Sequence, residues 1–158
     1  MSRNVTHVAV PPEKVFDVLR DPRSYGHWVV GSRKIRDADP GFPAPGTKFH
    51  HQQGFGPLRL NDETEVVESA PPHRLVLHAK FRPFGTQVVT MEIAPEGGGS
   101  RVTMLEGPGD AFTRLIFNPL LDALLKRRND ESLRRFKEMA EGRGPSMADA
   151  GTPSETPA

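Results

Sequence analysis

The 158-residue chain contains no cysteine. That excludes disulfides, thiol nucleophiles and thiolate metal sites. It accords with a reducing, cytoplasmic setting, which is the expected localisation. Neither sign of charge is in excess: 21 lysines and arginines face 20 aspartates and glutamates. A net charge of +1 gives no electrostatic reason to expect nucleic acid as a partner. No run of about 18 apolar residues occurs, so no integral membrane association is expected. The N-terminus is polar and leads straight into a strand pattern, so no secretory signal is expected either. Tryptophan and tyrosine are each present once, as Trp28 and Tyr25.

What the chain has in quantity is punctuation: 16 prolines and 15 glycines. Residues 4–10 alternate as a strand, and Pro11-Pro12 suits a helix start, where the missing N–H is not needed. Val15, Phe16, Val18 and Leu19 give that helix one apolar side, and Asp21-Pro22 ends it. A second short turn or helix over roughly 22–28 carries Tyr25 and Trp28. Strand patterns then follow near 32–38, 46–53, 58–69, 74–82, 86–94 and 100–106, separated by turn signals such as Asp39-Pro40-Gly41 and Glu96-Gly97-Gly98-Gly99. Ala111 to Phe117 reads as a separate helical turn. Asn118-Pro119 reads as N-cap and first residue of a long helix that stops at Gly142. Its apolar stripe is expected to include Leu121, Leu124, Leu125, Leu133 and Phe136, with Arg128 and Asn129 near that side.

The order strand, two short helices, six strands, long helix predicts an α+β fold. A seven-stranded curved antiparallel sheet has one apolar face to cover, and only the long helix is large enough to cover it. This is a helix-grip arrangement, and a sheet curved over one helix leaves space between them. A single domain is expected over residues 3–141, followed by a disordered tail over 142–158, where large apolar side chains are almost absent.

Several segments together resemble the START-like, or SRPBCC, superfamily, which includes the polyketide cyclase/dehydrase-like proteins. They are Pro11-Pro12-Glu13 with Val15-Phe16; Asp21-Pro22 with Tyr25 and Trp28; Pro45-Gly46-Thr47-Lys48-Phe49; Glu68-Ser69-Ala70-Pro71-Pro72-His73-Arg74-Leu75; and Gly99-Ser100-Arg101-Val102-Thr103-Met104. The resemblance implies a helix-grip fold with an internal cavity. The superfamily holds lipid carriers, hormone receptors, aromatase/cyclase domains and co-chaperones, so it implies no single activity.

His50 and His51 are adjacent on a strand and therefore point to opposite faces, which bars both from one metal ion. If Phe49 faces inward, so does His51, either as a cavity imidazole able to move a proton or as a histidine at the rim. Glu106 shares a face with Val102 and Met104, and is either a cavity carboxylate or a solvated group at the mouth. His51 and Glu106 are thus the candidate catalytic residues. Trp28, Phe49, Met91, Met104, Phe117, Leu121 and Leu124, with His51 and Glu106, are the candidate ligand contacts. No His-Glu-x-x-His, Gly-x-Ser-x-Gly or phosphate-loop pattern occurs, and neither metal nor cofactor is expected. The favoured expectation is a monomer or weak homodimer that binds a small hydrophobic, lipid- or polyketide-like molecule between sheet and helix. The alternatives are a cofactor-independent cyclase or dehydratase using His51 or Glu106, and a co-chaperone-like interaction domain.

Overall fold

Proline opens both of the larger helices. In the computed structural model, which describes residues 2–55, 58–80, 85–116 and 118–143, Pro12 begins α1 (Pro12–Arg20) and Pro119 begins α4 (Pro119–Ala140). At α4 the Asn118 side chain accepts a hydrogen bond from the Leu121 amide at 3.0 Å, satisfying one of the free donors of the first turn. After α1, a 3-10 turn (Pro22–Ser24) leads into α2 (Tyr25–Trp28). A short helix α3 (Ala111–Ile116) precedes α4. Phe117 and the expected disordered tail beyond position 143 lie outside the described residues.

Seven strands make one curved sheet: β1 (Ser2–Val8), β2 (Ser32–Ala38), β3 (Lys48–Phe55), β4 (Leu58–Ala70), β5 (Arg74–Lys80), β6 (Thr86–Glu96) and β7 (Gly99–Pro108). Their order is β1-β7-β6-β5-β4-β3-β2, with every neighbouring pair antiparallel. Six strands run as a meander and β1 joins the free edge of β7. The β6–β7 hairpin turns through Gly97 and Gly98, at φ 54° and 81°, the left-handed pair that a two-residue hairpin needs. Gly99 lies where β1 comes closest, and a Cβ there would stand 2.3 Å from the Val8 carbonyl oxygen.

The first strand begins and ends two residues earlier than the sequence pattern suggests. It pairs from Ser2 opposite Glu106 to Val8 opposite Ser100. Two consecutive prolines at 11 and 12 have no N–H to give a ladder, so the chain leaves the sheet before them. The Ala9 amide is taken instead by Glu141 Oε2 at 2.8 Å, and the Val10 carbonyl by Ser100 Oγ at 2.7 Å.

The buried stripe of α4 also differs from expectation. It comprises Leu125, Asn129, Ser132, Leu133 and Phe136, while Leu120 and Leu124 are 71% and 57% exposed and Leu121 is only half-buried. The reason is length. Ser2, where β1 begins, lies against Asn129, so the first turns of α4 run on past the start of that strand. Around the helix, Phe136 stacks edge-on against Trp28 at 5.1 Å, and Val8, Phe16, Leu19, Met91 and Val102 complete a fully buried core.

Replacing Phe136 with alanine leaves a void where helix, α2 and sheet meet, and we expect a loss of roughly 3–5 kcal/mol. At roughly 2–4 °C per kcal/mol for a domain of this size, the melting temperature should fall by about 6–20 °C. Circular dichroism of Phe136→Ala giving the wild-type melting curve would show that α4 is not seated there.

Candidate functional site

Beside that core, between the sheet and the first half of α4, lies a cavity of about 210 Å³. Each wall follows from strand alternation. On β3, Phe49 and His51 point inward, each 4% exposed, while His50 points out to Asp37 and Glu63. Thr64 lies opposite Phe49 on β4, and Ala79 opposite Thr64 on β5. Leu77 with Val89, and Met104 with Glu106, extend this inner face across β5, β6 and β7. Trp28 and residues 29–32 form the rim on the α2 side, and Arg128 reaches in from α4.

The α2 side is held by hydrogen bonds to the end of α1. Ser24 Oγ donates to the Val18 carbonyl at 2.7 Å, and Tyr25 Oη to the Leu19 carbonyl at 2.9 Å. These two carbonyls belong to the last turn of α1 and have no partner within it. Trp28 Nε1 donates to Ser24 Oγ at 3.3 Å, and the ring of Tyr25 packs on Trp28 and Phe49 at 5.1 and 4.8 Å. Burial pushes the Tyr25 hydroxyl far above its ordinary pKa, so it remains neutral. The loop after α2 is tied to the long helix by the Val30 amide, which donates to Ser132 Oγ at 3.0 Å.

Two polar stations interrupt the apolar wall. At the first, His51 Nε2 lies 3.0 Å from Thr64 Oγ1. Burial lowers the His51 pKa below its usual 6.5, against the opposing pull of the Asp62 carboxylate, so the imidazole is neutral at pH 7. At the second, Glu106 is fully buried. Its Oε2 accepts from Asn129 Nδ2 at 2.6 Å, and both its oxygens lie 3.2 Å from Arg128 Nη2. Asn129 Nδ2 also reaches Ser2 Oγ at 3.0 Å. β3 and β7 are separated by three strands, so the two stations are set apart across the sheet. Among the described residues, no cluster of three or more His, Asp or Glu side chains is arranged to hold a metal ion.

The family model described as polyketide cyclase / dehydrase and lipid transport matches residues 2–141. The chain belongs to this family. Membership makes it a ligand-binding or cyclase-type domain. An uncharacterized protein of Mycobacterium tuberculosis is 27% identical over 145 residues, which cover 86% of this chain and 83% of the relative. A Rhodobacter sphaeroides crystal structure superposes with a TM-score of 0.69 at 19% identity, covering 89% of this chain and 91% of that one. The crystal structure of Ara h 8.0201 gives 0.67 at 12%, covering 89% and 96%. DynU16, from the dynemicin biosynthetic locus, gives 0.67 at 19%; 91% of this chain is covered but only 48% of DynU16. These likenesses establish the helix-grip fold. No helix among the described residues is long and apolar enough to cross a membrane.

Within this polyketide cyclase/dehydrase-like domain, Trp28, Phe49, His51, Met104 and Glu106 meet around one cavity. Met91 is fully buried but lies in the core beyond it. Leu121 and Leu124 are not on the wall, because the first turns of α4 overrun the sheet. Glu106 is enclosed rather than solvated, because α4 brings Arg128 and Asn129 over it. Thr64, Leu77, Ala79 and Val89 were not singled out from the sequence, although period-two alternation from Val66, Leu75 and Met91 reaches all four. Asp62, 2% exposed and in register with His51, is likewise reached by counting two back from Thr64.

A lowered His51 pKa sets a sign. The unfolded chain binds more protons than the folded one just below pH 6.5, so the stability His51 contributes is complete above that pH and declines as the pH falls. We expect the His51 ring resonances to titrate below pH 6.5 by NMR, and His51→Gln to flatten the acid side of the stability curve. A ring titrating above pH 6.5 would contradict the assigned environment.

Proposed function

We propose that the domain binds a small, largely apolar or aromatic molecule in the cavity between sheet and α4. The observation that carries this is the wall itself: side chains such as Leu77, Val89 and Met104 surround a space of about 210 Å³, with fixed polar groups only at a few points. An apolar protein cavity of roughly 150 Å³ takes up benzene, so a one- or two-ring molecule is the matching size. Separation of the polar stations by three strands suits a ligand with an apolar body and polar substituents set apart on it.

A second reading is favoured by one feature. A neutral His51 facing the same space as Glu106 could accept a proton from a bound carbonyl compound, as cyclisation or dehydration would need. Glu106 is less free for this role, since Arg128 and Asn129 already engage its oxygens. On this reading His51→Gln abolishes turnover and leaves ligand affinity nearly intact, whereas on the binding reading no turnover exists to lose.

Trp28 is the only tryptophan and lies on the cavity wall, so its emission reports occupancy directly. We expect 4-bromobenzyl alcohol to quench it saturably through the heavy atom, with an affinity of about 10 mM or tighter, given roughly 0.3–1.5 kcal/mol per ligand atom. Ala79→Phe should fill the cavity and remove the saturable phase without lowering the melting temperature. Linear quenching like that of free tryptophan, or saturable quenching unchanged by Ala79→Phe, would place binding elsewhere or nowhere.

A further inference from the structure

We propose that the ligand of this cavity is an anion: an aromatic or alicyclic carboxylate whose acid group docks on Arg128. The inference rests on the binding reading above and names the chemistry of its polar end.

Glu106 and Arg128 are the charged residues of the cavity lining. Their pairing is lopsided. Arg128 uses a single nitrogen, Nη2, at 3.2 Å to both carboxylate oxygens, and Nε makes a long 3.4 Å contact to Asn129 Oδ1. Nη1 donates to nothing among the described residues. A guanidinium carries five N–H groups in a planar fork, and its strongest mode presents two parallel N–H groups to one carboxylate. Here that mode is left unused.

The carboxylate side is different. Glu106 has no exposed surface, and Asn129 and Arg128 together cover both of its oxygens. An ionised carboxylate only accepts, so it has nothing to offer an acidic or carbonyl ligand. Its role is to hold the guanidinium at the cavity edge. The Arg128 side chain keeps 25% of its surface exposed, so its remaining donors have not been shut away by protein. The other polar side chains on the wall, such as Thr64 and Gln87, are neutral, which leaves Arg128 as the point where a negative group is best received.

Calorimetry of the full chain with 2-naphthoate and its neutral isostere 2-naphthamide tests this. The wild type should bind the acid at least about tenfold more tightly than the amide. Arg128→Gln should abolish that preference, bringing the affinities for acid and amide within about threefold of each other. Glu106→Gln should tighten the acid, because it removes the carboxylate that competes for the same guanidinium. If Arg128→Gln fails to fold with Glu106 left unpaired, the double variant Glu106→Gln/Arg128→Gln buries no lone charge and should show no preference. Equal affinity for the two probes in the wild type, or a preference that survives loss of Arg128, overturns the anion inference and leaves the binding reading standing. Failure of both probes to bind overturns the binding reading and this inference with it.

Discussion

A carboxylate with no exposed surface, Glu106 on β7, sets how the long helix lies on the sheet. Removing an ionised group from water is tolerable only if it is paired and hydrogen-bonded. Its partners, Arg128 and Asn129, are consecutive residues of α4, so satisfying the acid fixes both the height and the rotation of the helix at that point. β1 adds to the same lock: Asn4 Nδ2 donates to the Lys126 carbonyl at 2.9 Å and to Asp130 Oδ1 at 2.6 Å, and Ser2 receives Asn129. Loss of one partner of a buried ion pair costs about 3–5 kcal/mol, more than most single apolar contacts. A slipped helix would forfeit several of these bonds at once.

The cavity follows from where that lock sits. It seats α4 on the β1–β7 side of the sheet, while the second half of the helix rests on α2 through Phe136 and Trp28. Between these two supports the inner faces of β4, β5 and β6 curve beneath the helix without large side chains to fill the gap: Thr64, Ala79 and Val89 are small or medium-sized. Bulk is concentrated instead at the α2 corner, where Phe42 packs edge-on against Tyr25 and Phe49, and Tyr25 lies tilted against Trp28 and Phe49. That corner is tied to α1 because Ser24 and Tyr25 close the end of that helix.

Much of this arrangement is legible in the sequence where local rules operate. Alternation on β3 places His51 beside Phe49 on the inner face and His50 on the outer one, as the two-residue period requires. Pro11-Pro12, Asp21-Pro22 and Asn118-Pro119 mark helix ends that the structure reproduces, because proline's constraints act within one or two residues. The pairing of Glu106 with Arg128 spans 22 positions and two elements, and no local pattern distinguishes it from a solvated acid at a strand end. The same limit explains Leu121 and Leu124: their helical spacing fits the apolar stripe, but whether a strand runs beneath them depends on where β1 begins. Residues 29–32, which form a rim, carry no periodic signal because they belong to neither helix nor strand for most of their length.

The most direct test of this account is a crystal structure of the full chain under xenon pressure, since dry apolar cavities take up the gas. The account predicts a xenon atom among Leu77, Val89, Met104 and Trp28, with Glu106 enclosed by Arg128 and Asn129 beside it. Side chains packed continuously from Trp28 to Arg128, with no xenon between them, would contradict it.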